Sequence, residues 1–552
     1  MIRTIFLLVV IFLCTNLFGQ TTITFKLNLQ PLIEKNLFFP DDGESVYVRG
    51  SFNQWEGDDY KLIKDEKTDF YSGKYFIKAN IGDTLEYKFV IKKADARNYW
   101  ERNPNPRNPN YGNRRIVVSS ENTVLPETIF SYDEYIKYPI IFSKEKLQED
   151  YLQMRNTVEE KHPALYDYTY KEKLDSLFNY YYSRIDKSLE FSEFYKIVSS
   201  VLERIGCGHT KLWIPADFWN TAPQRFFPLK LYFNSDKVLV NGCYLSSCKI
   251  PRGSEIISIN DKPMGEIINN LKSITSSDAF INAFKSKSVE KIFSPKYALY
   301  YGYPESFIIK YIPPGENEER KIELHSSEGR NIQMNPFRGN DLSLKLLNKN
   351  VAALLTINSF IYYDKPDVFK NFIDSSFLVI KNEKINNLII DLRGNDGGDP
   401  FCSSYLLSYI EHEPIPYFAE PYGRYDSLAK PIPKAKNSFE GNIYTLIDGS
   451  CFSTTGHFCS LLKYQKIGKL IGTETGATYT CTGSVQYIDL KNTRLILGTA
   501  RKQRYSAAVK NMDRTKGIMP DYFVKQSQDD IINNKDAQLE YAISLIGKDR
   551  ID

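Results

Sequence analysis

The chain has 552 residues, and a chain of this length predicts three or four domains. Hydrophobic residues make up 42% of the sequence and charged residues 25%, a composition that excludes a collagen, a coiled coil and a wholly disordered chain. The 71 Lys and Arg residues nearly balance the 67 Asp and Glu residues, so no nucleic acid is expected as a partner.

The first 19 residues have the pattern of a secretory signal peptide. A basic start with Arg3 precedes an apolar run from Ile5 to Cys14, and Gly19 offers a small residue at the cleavage point. The apolar run is shorter than the roughly 20 residues that cross a bilayer. We therefore expect an exported protein, periplasmic or extracellular, without a transmembrane segment.

Cysteine spacing gives no metal motif. Seven cysteines remain after Cys14, an odd number that leaves at least one thiol free, and Cys243 and Cys248 are near enough for a local bridge. No CxxC pair and no Cys/His cluster with zinc spacing occurs, so neither a metal nor a cofactor is predicted.

Residues 20–120 consist of short β-type runs punctuated by glycines. Runs at 46–50, 73–77 and 85–91 lack a helical period, which predicts a small all-β domain of the immunoglobulin-like sandwich type. The stretch 121–142 is predicted to be a linker.

The hydrophobic period changes at Ser143. Apolar residues recur at helical spacing through 147–158, again near 171–185, and from Phe191 to Leu202, which predicts a helical segment over 143–222. Residues 223–348 are strand-rich and predict a separate β-rich module. The last part, 349–545, alternates buried strands with helices, including one at about 453–464, and this order predicts a layered α/β core.

Two junctions of the α/β core could carry chemistry. Asp391-Leu-Arg-Gly-Asn-Asp-Gly-Gly follows a buried strand, and its glycines could turn backbone N–H groups toward an oxyanion, although a tight turn is the simpler explanation. Ser453 lies between another strand and a helix, where the helix dipole favours a developing negative charge. Its simpler explanation is an N-cap.

A serine nucleophile needs a base, and the chain has five histidines. His209 lies in a glycine-flanked loop directly after an amphipathic helix, although a lone histidine there is often structural. His457 lies one turn after Ser453 on the same helix, so we expect it to be structural. The remaining three are His162, His325 and His412.

Five motifs follow one another along the chain: Gly208-His209-Thr210, the 391–398 segment, Cys451-Phe452-Ser453-Thr454-Thr455, the 472–476 segment and Gly517-Ile518-Met519-Pro520-Asp521. Together and in this order they resemble the tail-specific protease family, which includes the C-terminal processing peptidases and the tricorn core. The resemblance spans residues 143–530 and implies a serine peptidase with a crotonase-like layered core and an upstream PDZ-like module around 253–260.

The resemblance implies roles for particular residues. Ser453 matches the nucleophile, and the oxyanion hole would combine the backbone N–H of Gly397 or Gly398 with that of Thr454. The 472–479 segment has no Lys, so the Ser-Lys dyad of the processing branch is not expected.

His209 matches the base of the tricorn-like branch, although Gly208 stands where that branch has a Ser. The branch also has a Glu shortly before its G-x-x-P-D segment. Here Asp513 is the nearest carboxylate and is the expected orienting residue.

Residues 22–120 resemble a starch-binding domain of carbohydrate-binding module family 20. Trp55, Trp100, Lys88 and Asn105 fall on the positions of one sugar site, where flat aromatic faces stack on glucose rings. Asn105-Pro106-Arg107 carries one residue more than the family's N-R pair. The alternative is that both tryptophans are core anchors.

The expected function is therefore a secreted serine peptidase, acting on a peptide or protein and targeted to starch or glycogen by its first domain. Two alternatives stay open at this stage. One is an inactive glucan-binding protein on a protease scaffold, and the other is a serine esterase.

Overall fold

A computed structural model describes most of the chain after Gln20. The described residues are 20–34, 38–66, 70–94, 98–101, 113–130, 139–215, 218–219, 222–234, 237–245, 248–328, 341–347, 351–501 and 503–548. The chain divides into two compact units, one of Met1–Tyr138 with Ile214–Ala222, the other of Pro139–Trp213 with Pro223–Asp552. The predicted signal peptide, 1–19, lies outside the described residues.

The first unit is all-β, as its sequence pattern predicts. Its strands are hydrogen-bonded in the order β6-β5-β2-β3-β4-β1-β8, with β7 on β5 and β9 on β1. One short helix, α1, is Gln30–Glu34. The strands β1–β9 are Gln20–Asn28, Ser45–Gly50, Lys61–Lys64, Phe70–Lys78, Thr84–Lys92, Asn98–Trp100, Arg114–Val117, Asn122–Val124 and Thr128–Ile129.

Alternating burial along these strands builds one core. Ile23, Phe25 and Leu27 on β1 are all fully buried, as expected when every second side chain faces inward. They share a cluster with Val48 on β2 and Phe89 on β5. The prediction of a linker over 121–142 is wrong in part, because β8 and β9 pair with β1 inside this sheet.

The second unit begins with three helices at the predicted places. They are α2 (Lys144–Lys161), α3 (Lys171–Ser183) and α4 (Phe191–Glu203). Two short strands, β10 (Ile141–Phe142) before α2 and β11 (Leu189–Glu190) before α4, pair antiparallel with each other. Directly after α4 comes the loop of His209, and then β12 (Lys211–Trp213).

The β-rich module is partly helical. Strands β13–β18 form one sheet, and three helices connect β16 to β17, so the prediction of a strand-rich segment is incomplete. The helices α5–α7 are Met264–Ser273, Asn282–Lys291 and Phe293–Tyr301. The strands β13–β18 are Leu229–Asn234, Lys237–Cys243, Glu255–Ile259, Lys262–Pro263, Ser306–Ile312 and Arg320–His325.

The α/β core is built on a six-stranded sheet in the order β19-β20-β21-β22-β23-β28. All neighbours are parallel except β19, which is antiparallel to β20. β19 lies before the predicted boundary at 349, so the core begins earlier than expected. The strands are Leu342–Leu347, Ala352–Ile357, Asn387–Asp391, Asn442–Ile447, Lys469–Gly472 and Tyr522–Phe523.

Both faces of this sheet are covered by helices, which is why its strands are continuous apolar runs. On β21, Leu388 and Ile390 face a large cluster with α8, α9 and α10 of residues Pro366–Asn382, Pro400–Ser408 and Thr454–Tyr464. Ile389 between them faces the opposite cluster, which includes Ala542 of α12, Ala537–Lys548. Helix α11 is Gln528–Asn533.

Short strand pairs complete the second unit. β12 pairs with β26 (Ile496–Thr499), which also pairs with β25 (Gln486–Asp489). β24 (Thr480–Thr482) pairs with β27 (Arg504–Ser506). Over the described ranges, no helix has both the length and the apolar character needed to cross a membrane. The seven described cysteines are free thiols, so Cys243 and Cys248 are not bridged here.

Candidate active site

Ser453 occupies a strained turn between β22 and α10. Its φ of 54° and ψ of −123° lie in a region that non-glycine residues rarely adopt. Such backbone strain persists only where the surroundings enforce it, and it is typical of functional sites. As the N-cap residue of α10, Ser453 also stands next to N–H groups at the positive end of the helix dipole.

His209 is held by the loop that links α4 to β12. The loop turns through Gly206, with φ of 71°, and through a bond from the Thr210 N–H to the Cys207 carbonyl. The imidazole packs on the ring of Phe452, with centroids 4.7 Å apart. A Cβ on Gly208 would lie 2.6 Å from Cζ of Phe452. This packing explains the glycine where the tricorn-like branch has a serine.

The two residues meet directly. Nε2 of His209 lies 3.0 Å from Oγ of Ser453, within hydrogen-bond distance. Burial lowers the pKa of His209 to about 3, and the charge of Lys211 adds to this effect. The ring is therefore neutral at physiological pH, and its Nε2 can accept a proton from the hydroxyl.

Gly397 and Gly398 lie against the turn of Ser453. A Cβ on Gly397, whose φ is 100°, would lie 2.9 Å from Cβ of Ser453 and 3.0 Å from the backbone nitrogen of Thr454. The N–H of Gly397 is already donated to Oδ1 of Asn395, at 2.9 Å. Gly398 contacts the same turn through its carbonyl, which accepts from the hydroxyl of Thr454 at 2.7 Å.

Asn395 fixes this glycine loop, a role that sequence reasoning missed. Its side chain is fully buried, and its amide donates to the carbonyl of Ile357 at 2.9 Å. Its Oδ1 also accepts from the hydroxyl of Thr455 at 2.7 Å. One side chain thus connects β20, the glycine loop and α10. The sequence signal that could have pointed to this role is an Asn placed between two glycines, Gly394 and Gly397, directly after a buried strand.

Other motif residues have structural tasks. Arg393 forms ion pairs with Asp391 at 2.6 Å and Asp536 at 2.7 Å, which hold the loop after β21 against the start of α12. Asp521 accepts from Lys463 at 2.6 Å and from the backbone of Leu470 at 2.8 Å. The contacts of Asp521 join the end of α10 to β23, and none of the contacts in this group is made to Ser453.

Asp513 does not lie where the sequence pattern placed it. Its carboxylate is half exposed and accepts from the backbone and hydroxyl of Thr515, at 2.8 and 2.6 Å. Nδ1 of His209 is buried and has no hydrogen-bond partner among the described residues. The expectation that Asp513 orients His209 is therefore not supported by this geometry.

His457 is buried one turn below Ser453, as expected for a structural residue. Its Nε2 lies 3.5 Å from Sγ of Cys481, and its ring meets Phe418 edge to face. Burial lowers the pKa of His457 to about 4. It faces the interior and not the Oγ of Ser453.

One group of described side chains has the atom types of a metal site. A thiol of Cys207, a ring nitrogen of His209 and a carboxylate oxygen of Asp278 all lie within 4.8 Å of one another. Zinc accepts all three ligand types. Burial, however, raises the pKa of the Cys207 thiol to about 11, which opposes the deprotonation that metal binding requires. The group is better described as part of the surroundings of the His209 ring.

The first unit brings two of its predicted sugar-binding residues together. The rings of Trp55 and Trp100 have centroids 6.5 Å apart, and the guanidinium of Arg49 lies over Trp100 at 5.4 Å. Both tryptophans are half-buried, and neither belongs to the described hydrophobic core, so they are not core anchors. Asn105 lies outside the described residues.

Lys88 is placed differently from the expectation. The residue is 4% exposed, and its amine donates to the backbone carbonyl of Glu101 at 3.3 Å. A sugar-binding lysine would present its amine to solvent. The predicted sugar contact of Lys88 is therefore not supported by its position.

Comparison with known proteins connects this geometry to a family. Residues 352–524 match the sequence model described as Peptidase family S41. The tricorn protease of Thermoplasma acidophilum is 30% identical over 177 residues, which are 31% of this chain. The matched region covers only 15% of the tricorn protease.

Solved structures share the fold at low sequence identity. Mature CPAF complexed with lactacystin gives a TM-score of 0.53 at 13% identity, covering 73% of this chain and 98% of that chain. A second structure, of mature CPAF, gives a TM-score of 0.52 at 12% identity, covering 73% of this chain and 97% of that chain. Together the comparisons support a serine-type peptidase, with Ser453 inside a segment, residues 352–524, that matches peptidase family S41.

Proposed function

We propose that this protein hydrolyses peptide bonds with Ser453 as the nucleophile and His209 as the general base. The observation that carries the proposal is the 3.0 Å separation of His209 Nε2 from Ser453 Oγ. A neutral imidazole at this distance removes the hydroxyl proton as Oγ attacks the peptide carbonyl. Since desolvation of the half-buried ring lowers the pKa of His209 to about 3, the imidazole is already in the accepting form.

The remaining steps follow from the loops around Ser453. As Oγ attacks, negative charge would develop on the carbonyl oxygen. The N–H groups of Gly398 and Thr454 would donate to this oxygen, and they stabilise the charge effectively because they are already oriented before the reaction. His209 then donates its proton to the leaving amine. Water enters, His209 takes a proton from it, and the oxygen attacks the acyl carbon. The ester bond to Ser453 Oγ breaks, and His209 returns the proton to Oγ.

Export and glucan targeting are part of the same proposal. Export rests on the basic and apolar pattern of residues 1–19. Glucan binding rests on Trp55 and Trp100, two adjacent and half-exposed rings outside the core of the first unit. Adjacent aromatic faces suit the flat faces of glucose units, and Arg49 beside Trp100 could orient a hydroxyl group.

The test uses the chain from residue 20 onward and fluorescein-labelled casein as the substrate. We expect wild type to cleave casein, and Ser453→Ala to lose this activity while keeping its melting temperature. Ser375→Ala, on the exposed side of α8, is the matched serine control and is expected to retain wild-type turnover. His325→Ala, on the exposed face of β18, is the matched histidine control.

A p-nitrophenyl ester tested beside casein separates peptidase from esterase. Hydrolysis of both substrates through Ser453 fits the proposal, because an acylating serine accepts either carbonyl. Hydrolysis of the ester alone would assign esterase activity and contradict the proposed peptidase function. Casein cleavage that survives in Ser453→Ala would show that the nucleophile is wrong.

A further inference from the structure

The imidazole of His209 leaves one ring nitrogen without a partner. When Nε2 accepts from Ser453, the neutral ring carries its proton on Nδ1. Nδ1 is buried, and the described residues offer it no hydrogen bond in this geometry. A buried donor that has lost its bond to water and found no other partner is unfavourable. The reactive tautomer therefore needs an acceptor on this side of the ring.

Asp278, between α5 and α6, has a carboxylate oxygen that lacks a hydrogen-bond donor in the described part of the chain. The residue is 3% exposed, and its Oδ1 accepts from the N–H of Gly208 at 2.7 Å. Its other oxygen, Oδ2, is buried and has no partner among the described residues. A carboxylate oxygen of Asp278 lies within 4.8 Å of a ring nitrogen of His209. The unpaired acceptor and the unpaired donor thus belong to two side chains that lie next to each other.

We propose that Asp278 is the positioning residue for His209, accepting the hydrogen bond from Nδ1–H. This inference rests on the proposed function, since it concerns the same serine and histidine. It replaces Asp513, whose carboxylate is engaged by Thr515. Hydrogen bonds of catalytic groups are often long before substrate binds, so the present separation is compatible with a bond that shortens in the complex.

The backbone holds Asp278 in place beside the histidine loop. Besides the bond from Gly208, the N–H of Ala279 donates to the carbonyl of Gly206 at 2.9 Å. Ala279 and Phe280 have φ angles of 48° and 65°, which are unfavourable for residues with a Cβ. These contacts tie Asp278 and the residue after it to Gly206 and Gly208, which directly precede His209, so the carboxylate is held beside the histidine loop.

The charge of Asp278 decides which tautomer of His209 forms. Burial raises the pKa of Asp278 to about 7. Below that pH the protonated carboxyl donates to Nδ1, which puts the ring proton on Nε2 and prevents acceptance from Ser453. Above it the carboxylate accepts from Nδ1–H, and Nε2 is free to act as a base. Activity is therefore expected to rise as Asp278 ionises.

Other groups around the pair set the background for this titration. Lys211 lowers the pKa of both residues, because its positive charge favours the carboxylate and disfavours the imidazolium. Titratable or charged groups also face the pair from the neighbouring elements: Lys211 on β12, His162 and Tyr168 after α2, His457 on α10, Cys207 in the loop, Cys481 on β24 and Arg504 on β27. All of them are retained in the variants below.

The experiment compares Asp278→Asn and Asp513→Asn in the chain from residue 20 onward, with casein peptides as substrate. For Asp278→Asn we expect kcat to fall about 10²- to 10⁴-fold with little change in KM, because the histidine is misoriented and substrate binding is untouched. In the pH profile of the residual activity, the acid limb should have its midpoint at a lower pH than in wild type. Asp513→Asn should retain both wild-type kcat and the wild-type limb.

A second variant distinguishes loss of the Asp278 charge from misfolding. Asp278→Ser keeps an acceptor for Gly208 N–H but has no charge, and it should show the same loss of kcat with a normal melting curve. Asp278→Asn with wild-type kcat and an unmoved acid limb would overturn the inference, as would a loss confined to Asp513→Asn. Activity removed by EDTA and restored by zinc would assign the cluster to a metal and also overturn it.

The outcome for the proposed function is read separately. If wild type shows no hydrolysis that depends on Ser453, the proposed function itself fails. If wild type is active through Ser453 and Asp278→Asn is equally active, only the role of Asp278 fails.

Discussion

Ser453 Oγ and His209 Nε2 lie 3.0 Å apart although 244 positions separate them in the chain. The serine follows β22 of the six-stranded sheet, whereas the histidine loop is anchored through β12 to β26 in a different sheet. Phe452 stands between these parts, because its ring contacts both His209 and Phe284 of α6. The pair therefore depends on the packing of three separate segments of the second unit.

Ser453→Ala and His209→Ala should be strongly non-additive. Each variant alone is expected to lose at least about 10⁴-fold in kcat/KM, and the double variant should lose little more, since a nucleophile and its base act as one unit. The measurement is casein-peptide hydrolysis by the two single variants and the double variant. Losses that multiply in the double variant would show that the two residues act independently.

Gly397→Ala should impair catalysis more than binding. The added methyl group would lie 2.9 Å from Cβ of Ser453, and the φ of 100° is unfavourable for alanine, so the oxyanion loop must shift. We expect kcat to fall by about 10²-fold or more, as for the loss of an oxyanion donor.

Gly265→Ala is the matched control, because a Cβ there meets no atom within 4 Å and the residue lies on α5. Steady-state kinetics of both variants test the prediction. Equal kcat values for Gly397→Ala and wild type would remove the glycine loop from the mechanism.

Asp278→Asn should change stability in a pH-dependent way. Folding raises the pKa of Asp278 from 3.8 to about 7, so the protonated form is favoured in the folded protein. The corresponding stability is complete below the unfolded value and is lost as pH rises through the folded value. Relative to wild type, the Asn variant should therefore gain about 4 kcal/mol of stability between a pH below 3.8 and a pH well above 7, of which about 3 kcal/mol falls between about pH 5 and about pH 9.

Differential scanning calorimetry at about pH 5 and about pH 9 measures this difference, since the two values lie on either side of the folded pKa. The melting temperature of Asp278→Asn minus that of wild type should be larger at the higher pH. A difference that does not change with pH would mean that Asp278 is not a buried titrating carboxyl.

Trp55→Ala and Trp100→Ala should weaken glucan binding without affecting peptide hydrolysis. Loss of a stacking aromatic from a binding site costs about 2 kcal/mol or more, which corresponds to a roughly 30-fold weaker affinity. Affinity electrophoresis of the whole chain in gels with starch or glycogen measures the effect. Phe76→Ala, 76% exposed on β4 of the same unit, is the aromatic control.

Wild type that migrates in starch and glycogen gels as in plain gels would contradict glucan binding. A drop of the melting temperature in both Trp variants, of the size expected for core residues, would instead assign the rings a packing role. Removing a core tryptophan typically costs about 3–5 kcal/mol.

Local patterns in the sequence predict much of the second unit. Leu147, Tyr151, Met154 and Val158 recur at helical spacing, and all four are fully buried on α2. The helix predicted near 453–464 is α10, Thr454–Tyr464. These features were predictable because a helix buries one stripe of residues, which leaves a period in the sequence.

Residues whose roles depend on distant contacts could not be found in this way. Asp278 follows a serine-rich turn, and its relation to His209 arises only because that turn is bonded to the loop of Gly206 and Gly208. Lys88 matched a sugar-site position by sequence, yet it is buried on β5. Spacing along the chain carries no information on which buried groups meet across the fold.

The most direct test of the central claim is labelling of the folded chain with a fluorophosphonate probe, followed by mass spectrometry of the modified peptide. Such probes phosphonylate a serine that a neighbouring base activates, with fluoride as the leaving group. The account predicts stoichiometric modification of Ser453 in wild type, strongly reduced labelling in His209→Ala and none in Ser453→Ala. Folded wild type that stays unlabelled, or that is labelled at a serine other than Ser453, would contradict it.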